Sequence, residues 1–408
     1  MSESVAAPPS RSASGLTPNV VALGVVSMFT DVSSEMIVPV LPLFLTSVLG
    51  ASVASVGVIE GVAECTATVL RLGSGWLSDR LGSRRPFLLL GYGVSGVAKG
   101  AMAWAGSWST VLGLRFSDRL GKGLRNPPRD ALIADSVEPA ALGRAFGFHR
   151  ALDTLGAAIG PLVAFLMLSA FPGDFRRIFA WSLVPAALSL LVIVVAVRAP
   201  RRAGARPRAA AGLPGADPGP AFRRFLVTAG VFSLASSSTA FLLLRAHQAG
   251  FSDRAVPLVY LLYNIVYASL SWPVGALSDR IGRRGILVLA YLLFAVVYAM
   301  LAASSARAAV IGGFALLGVH SALLEGSQRS MIADLVPADR RATAYGIYYA
   351  VVGLALLPAS IGAGAIWDRL GAPVALGLDA ALAVVAALLF TVLLPPRAER
   401  RAATAGTA

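Results

Sequence analysis

Gly75-Trp76-Leu77-Ser78-Asp79-Arg80-Leu81-Gly82-Ser83-Arg84-Arg85 is a short charged loop set between two long apolar runs, and it occurs twice. The second copy reads Gly275-Ala276-Leu277-Ser278-Asp279-Arg280-Ile281-Gly282-Arg283-Arg284, displaced by 200 residues in a chain of 408. A loop of acid, base, glycine and paired arginine is too costly to bury in hydrocarbon, so it lies at a membrane surface. Its recurrence at half the chain length points to a membrane protein of two related lobes rather than a globular enzyme. Two more pairs support the duplication. Ile133-Ala134-Asp135 returns as Ile332-Ala333-Asp334, and Ala145-Phe146-Gly147 as Ala344-Tyr345-Gly346, both displaced by 199 residues.

Composition agrees. Apolar residues make up 56% of the chain and charged residues 14%, against about 25% charged in ordinary soluble domains. The mean hydropathy is +0.73. The net charge of +14 would suggest nucleic acid in a soluble protein. Here the surplus arginine falls mostly in loops on one side of the apolar runs, so orientation in an anionic bilayer explains it and no nucleic-acid partner is expected. Cys65 is the only cysteine, which rules out an intrachain disulfide. Residues 1–17 lack the charged and apolar regions of a cleaved signal, so the first span is expected to be retained.

A span needs about 20 apolar residues, and twelve helices are expected near 20–48, 54–77, 86–106, 108–131, 144–169, 178–197, 225–246, 256–277, 285–304, 307–331, 343–365 and 372–395. Arg80, Arg84, Arg85, Arg144, Arg280, Arg283, Arg284, Arg340 and Arg341 fall in loops after even-numbered spans, while the loops after spans 1 and 3 carry no charge. This places both termini in the cytoplasm of a multi-pass cell-membrane protein. The expected division is a tail at 1–17, a six-helix bundle at 18–198, a basic linker at 199–222, a second six-helix bundle at 223–396 and a tail at 397–408. A monomer is expected.

Charges inside the spans are the candidates for function, because ionisable groups at membrane depth are functional by default. Asp31 and Glu35 share one side of span 1, four residues apart. A carboxylate there is costly unless paired or protonated, which suits a proton carrier. A permanent ion pair with span 4 is the bland alternative. Span 4 carries Arg115, Asp118, Arg119, Lys122, Arg125 and Arg129 at steps of 3, 1, 3, 3 and 4, one helical face that lipid would not tolerate. Glu60, Glu64 and Arg71 line span 2, and His149, Arg150 and Asp153 line span 5. The near balance of sign suggests an ion-pair network, static or titrating. Proton coupling is assigned to Asp31, Glu35, Glu64, Arg115 and Asp118. The substrate cavity is assigned to Arg119, Lys122, Arg150, Asp153, Arg245, Asn264, His320 and Glu325. Lys99 on span 3 is expected to snorkel, Glu325 and Arg329 to pair within their own helix, and Tyr260, Tyr263 and Tyr267 to pack or to stack on a substrate.

At this point the residues resemble the major facilitator superfamily: twelve spans in a 6+6 arrangement, a central linker, and the Gly-x-x-x-Asp-Arg-x-Gly-x-Arg-Arg loop after span 2, repeated after span 8 with Gly285 in place of the final arginine. Three stretches resemble its drug/proton antiporter branch. These are Glu35 ahead of Pro39 and Pro42 in span 1, Leu114-Arg115-Phe116 in span 4, and Gly156-x-x-x-Gly160-Pro161 in span 5, where Ala164 and Phe165 replace the usual Gly-Gly continuation. The resemblance implies an all-α membrane protein of two pseudo-symmetric six-helix bundles, with a cavity between them opened alternately to each side. It implies a conformational latch at Gly75, Asp79, Arg80, Gly82, Arg84 and Arg85 and at Gly275, Asp279, Arg280, Gly282, Arg283 and Arg284. The expected function is proton-coupled efflux of a small molecule. An uptake symporter or anion exchanger is the alternative of the same class, and a sensor or intramembrane enzyme that of another class. No ATP-binding, zinc-protease or nucleophile-elbow motif occurs, so no enzyme, cofactor or metal is expected.

Overall fold

The computed structural model describes residues 16–81, 83–138, 141–198, 219–337 and 340–395, with only the backbone of Leu72, Trp76, Asp79, Asp279 and Ala342. Gly82, the tails apart from residues 16–17, and all but the last residues of the expected linker lie outside the described residues. Every described element is helical: α1 (Pro18–Glu35), α2 (Leu41–Leu43) running into a π turn at Phe44–Val48, α3 (Val53–Arg80), α4 (Arg85–Ala101), α5 (Trp108–Asp135), α6 (Leu142–Ala170), α7 (Phe175–Trp181), α8 (Leu183–Ala196), α9 (Pro220–Ala235), α10 (Thr239–Gln248), α11 (Val256–Ile281), α12 (Arg283–Ala303), α13 (Arg307–Leu335), α14 (Arg341–Leu370) and α15 (Ala372–Leu393). Taken in order they form twelve legs. Among the described residues nine are long and apolar enough to cross a membrane. The other three are the broken first leg, the 17-residue α4 and the charge-laden α5.

The first leg is not the continuous helix that its apolar run suggests. It stops at Glu35, turns through Met36–Val40 and restarts at Leu41. Pro39 and Pro42 each remove a backbone donor and disfavour helical geometry in the residue before them. The seventh leg breaks likewise at Ser236–Ser238, where hydroxyls compete for the backbone: Ser238 Oγ accepts from the Ala240 N–H at 3.2 Å, and Ser237 Oγ donates to Asp379 Oδ2 at 2.5 Å. The second half begins at Pro220, a few residues earlier than expected.

Glycine sets how closely the legs approach. α6 lies on α1 through the Gly156/Gly160 pair. A Cβ on Gly160 would stand 2.6 Å from that of Glu35, and one on Gly156 would strike the Met28 carbonyl. The two halves meet along α3 and α14 through Gly57, Gly61, Gly353 and Gly364, along α6 and α11, and where α10 packs on α2. At the end carrying loops 49–52 and 371, Asp368 accepts from the backbone of Val53 and Ala54 at 3.0 and 2.8 Å, and the rings of Phe241 and Trp367 lie 5.9 Å apart. At the arginine-rich end, Cβ atoms on Gly143, Gly147, Gly275 and Gly326 would meet nothing within 4 Å. The halves are joined at the end that carries loops 49–52 and 371.

Candidate functional site

The polar row of α5 turns into its own half. Arg115 Nη2 donates to Glu60 Oε1 of α3 at 3.2 Å, and its Nη1 to Asp118 Oδ2 at 3.2 Å. Ser95 of α4 donates to Asp118 Oδ1 at 2.6 Å, and Arg119 pairs with Glu64 at 3.2 Å. Arg115, Asp118, Arg119 and Glu60 are all buried, so these groups are paired with one another rather than solvated. Close approach makes this possible: a Cβ on Gly123 of α5 would fall 2.6 Å from that of Leu70 on α3. Lys99 does not snorkel. It is fully buried and donates to Ser34 Oγ of α1 at 3.0 Å. Arg125 rests over the Tyr92 ring at 4.5 Å, and Arg129 pairs with its neighbour Asp130 at 2.9 Å.

The acids of span 1 stand differently. Glu35 closes α1 just before the break, and its Oε2 is buried without a hydrogen-bond partner. Its charged neighbours are Arg115, Arg119 and Lys122, and Tyr260 of the other half lies beside it. Asp31, one turn earlier, neighbours Asp153, Glu35 and Lys122. The α5 arginines that could pair with these acids are engaged by Glu60, Asp118 and Glu64 instead. Asp153 is held by Ser27 Oγ at 2.6 Å and by Arg150 at 3.1 Å.

A polar bridge joins the halves across α6, α11 and α13. Arg150 Nη2 donates to the Tyr267 hydroxyl at 2.5 Å and faces Glu325 Oε2 at 3.5 Å, while Tyr267 donates to Glu325. Glu325 also takes Arg329 at 2.7 Å, the intrahelical pair expected from spacing. Asn264 donates to the Ala157 carbonyl at 3.1 Å. Tyr260, Tyr263 and Tyr267 form a ladder with ring separations of 5.7 and 6.3 Å.

Two of the expected cavity residues stand apart. Arg245 donates to the Leu301 carbonyl at 2.9 Å, and His320 bonds the Ala290 carbonyl at 2.8 Å between the rings of Phe232 and Phe294. Both fill packing inside the second half. In the twin loops the paired arginines tie each half to itself. Arg84 pairs with Asp135 and Arg283 with Asp334, the acids of the repeated Ile-Ala-Asp motif. Arg85 caps the Val194 carbonyl at 2.6 Å, and Arg284 the Thr391 carbonyl at 3.0 Å. Gly75 stands 3.3 Å from the Pro127 side chain when given a Cβ, Arg80 is exposed, and Gly282 takes φ 92° to turn the second loop, while Gly275 meets open space. Sequence reasoning passed over Asp379, buried against Ser237 at the break of the seventh leg. Its signal was an acid inside the apolar run 372–395.

The family model of the Major Facilitator Superfamily matches residues 23–244 and 224–408. The chain belongs to the major facilitator superfamily. It is accordingly an all-α, multi-pass membrane transporter of a small-molecule substrate and not an enzyme. An uncharacterised MFS-type transporter of Methanocaldococcus jannaschii is 34% identical over 380 residues, 92% of this chain and 94% of that protein. Multidrug resistance protein MdtH of Aeromonas hydrophila is 25% identical over 342 residues, 81% of this chain and 83% of that protein. Among solved structures, the nucleoside transporter NupG superposes with a TM-score of 0.80 at 13% identity, covering 92% of this chain and 99% of that one, a likeness of fold.

Proposed function

We propose that this superfamily member is a proton-coupled transporter working by alternating access, with Glu35 and Asp31 as the proton-carrying carboxylates and export of a small molecule as its direction. The observation that carries the reading is Glu35. It is a carboxylate with a buried oxygen lacking any hydrogen-bond partner, beside Arg115 and Arg119, which are engaged elsewhere, and Lys122, where α6 and Tyr260 of the other half meet it. A group so placed gains or loses a proton without first breaking a salt bridge, and its neighbours change when the halves move. Coupling requires only that proton and substrate favour different arrangements of the halves. With both termini cytoplasmic, as loop charge suggests, the arginine-rich end faces the cytoplasm. The likeness to a multidrug resistance protein supports export. An uptake symporter or anion exchanger is the second reading, and Lys122 and Arg71, which make no ion pair among the described residues, favour an anionic substrate in either direction.

The test is proton movement in proteoliposomes carrying a pH gradient, with cationic, neutral and anionic substrates supplied in turn. Proton-driven flux in Glu35→Gln is expected to fall tenfold or more, while substrate exchange without a gradient persists. Unchanged proton coupling in a folded Asp31→Asn/Glu35→Gln variant would sink the assignment. Competition between proton and substrate supports export, and joint movement supports uptake.

A further inference from the structure

We infer that the transported substrate is a small organic anion, a carboxylate on a planar apolar body, held by Lys122 and Arg71 on one wall of the cavity and by the tyrosine ladder of α11 on the other. The inference rests on the transport reading above but not on its direction or its proton carriers.

The pairing inside the membrane leaves a remainder. Arg115 is matched by Glu60 and Asp118, Arg119 by Glu64, Arg150 by Asp153 and Glu325, and Arg329 by Glu325. Lys99 has Ser34, and Arg125 has the Tyr92 ring, although its Nε and Nη1 are buried without a hydrogen-bond partner. Lys122 and Arg71 have neither a hydrogen bond nor an ion pair among the described residues, and Arg71 Nε is buried without a partner. Both neighbour Glu64, but Arg119 already holds its carboxylate at 3.2 Å. Three cations therefore surround Glu64, and Asp31 and Glu35, which also neighbour Lys122, make no ion pair with it among the described residues. Holding such charges at membrane depth without a paired counter-charge is costly, and an arriving anion supplies one. A single carboxylate suits the pair, because guanidinium binds it with a planar fork and ammonium as a point charge.

The second half brings tyrosines to these groups. Tyr260 neighbours Glu35 and Arg119, so the ladder begins where the cation row ends. The rings of Tyr260, Tyr263 and Tyr267 are near parallel, at 26° and 8°. Tyr349 of α14 neighbours Arg71. Such ring faces offer a planar ligand stacking area with hydroxyls at the rim.

The anion is also linked to protons. Facing the Lys122 ammonium are Asp31 and Glu35 from α1, Glu64 and Arg71 from α3 and Arg119 from its own helix. Asp153 of α6 and Tyr260 of α11 stand behind the α1 acids. Protonating Asp31 and Glu35 removes two nearby negative charges, so the anion binds more tightly as pH falls.

The experiment is equilibrium binding of radiolabelled benzoate, salicylate and phenylacetate to the purified full chain in detergent. Benzamide serves as the neutral isostere and tetraphenylphosphonium as the cation. At least one acid is expected to bind saturably and about tenfold or more tighter than benzamide. Lys122→Gln and Arg71→Gln are each expected to weaken it about tenfold, with benzamide unchanged within twofold and Lys122→Arg restoring much of the loss. Saturable binding of tetraphenylphosphonium alone, no saturable acid binding, or a Lys122→Gln variant within twofold of the parent overturns the inference. The Asp31 and Glu35 arm is read separately. If the acid binds as described but Glu35→Gln keeps the full pH dependence of affinity, the proton-carrier assignment falls while the anion site stands.

Discussion

Replacing Arg115 by methionine is expected to lower the stability of the folded chain by about 3–5 kcal/mol, because removing one member of a buried ion group strands its partners. Arg115 is 3% exposed and ties Glu60 of α3 to Asp118 of its own helix, both buried. Without it, two carboxylates share a site with too few donors. Ser95 still serves Asp118, but Glu60 keeps no partner of comparable strength. A triple variant, Arg115→Met with Glu60→Gln and Asp118→Asn, is expected to recover most of the loss, since neutral groups of similar size remove the stranded charge. Denaturant unfolding in mixed micelles reads both. Glu35→Gln provides the contrast. Glu35 makes no ion pair among the described residues, so its neutralisation is expected to leave stability within about 1 kcal/mol while abolishing coupling. If Arg115→Met unfolds at the parent's denaturant concentration, the triad does not hold the lobe together and the arginine is available for transport instead. This pair of variants separates scaffold from carrier, which the density of charge in the first half otherwise confounds.

The twelve legs, their pairing into halves and the inward face of α5 were legible from periodicity and from the 200-residue repeat, because hydrocarbon punishes any other arrangement. Partner choice was not legible. Spacing puts Arg115 within reach of acids on spans 1, 2 and 4, and only the glycine contacts decide. Gly123 lets α5 lie against α3, which hands Arg115 and Arg119 to Glu60 and Glu64 and leaves Glu35 and Asp31 without salt bridges among the described residues. The repeated Ile-Ala-Asp motif was visible as a repeat, but its role as the acid that receives Arg84 or Arg283 depends on the ends of two legs meeting. His320 and Arg245 looked like cavity residues because polar groups in apolar legs usually face water or protein polar groups. Here each bonds a backbone carbonyl of its own half. The break at Ser236–Ser238 carries no proline, and its signal in the sequence is the hydroxyl run Ser236-Ser237-Ser238-Thr239, which competes for the backbone.

Gly57→Val is expected to prevent the two halves from closing on each other at the end they now join. α3 and α14 approach so closely there that a Cβ on Gly57 would overlap the Ser360 backbone carbonyl. One on Gly61 would lie 3.0 Å from the Leu357 carbonyl, and one on Gly364 2.8 Å from that of Val53. A backbone carbonyl inside a helix cannot rotate away as a side-chain tip can, so relief requires the helices to separate. The contacts of Asp368 with Val53 and Ala54 then break as well, since they depend on the same approach. A penalty of about 2.7 kcal/mol on this arrangement shifts the balance of states about 100-fold toward those with the seam open. Transport needs both arrangements in turn, so flux is expected to fall by a similar factor even though no group in the polar site has changed. The measurement uses a chain with Cys65 replaced by alanine and spin labels at Ser52→Cys and Arg369→Cys, both exposed positions flanking the seam. The distance between labels is expected to lengthen in Gly57→Val and to stay unchanged in Gly73→Val, where an added Cβ meets nothing within 4 Å. A Gly57→Val chain that keeps both the parent's label distance and its flux would mean that the seam yields without cost. Alternation would then have to be governed by the Arg150–Tyr267–Glu325 bridge rather than by glycine packing.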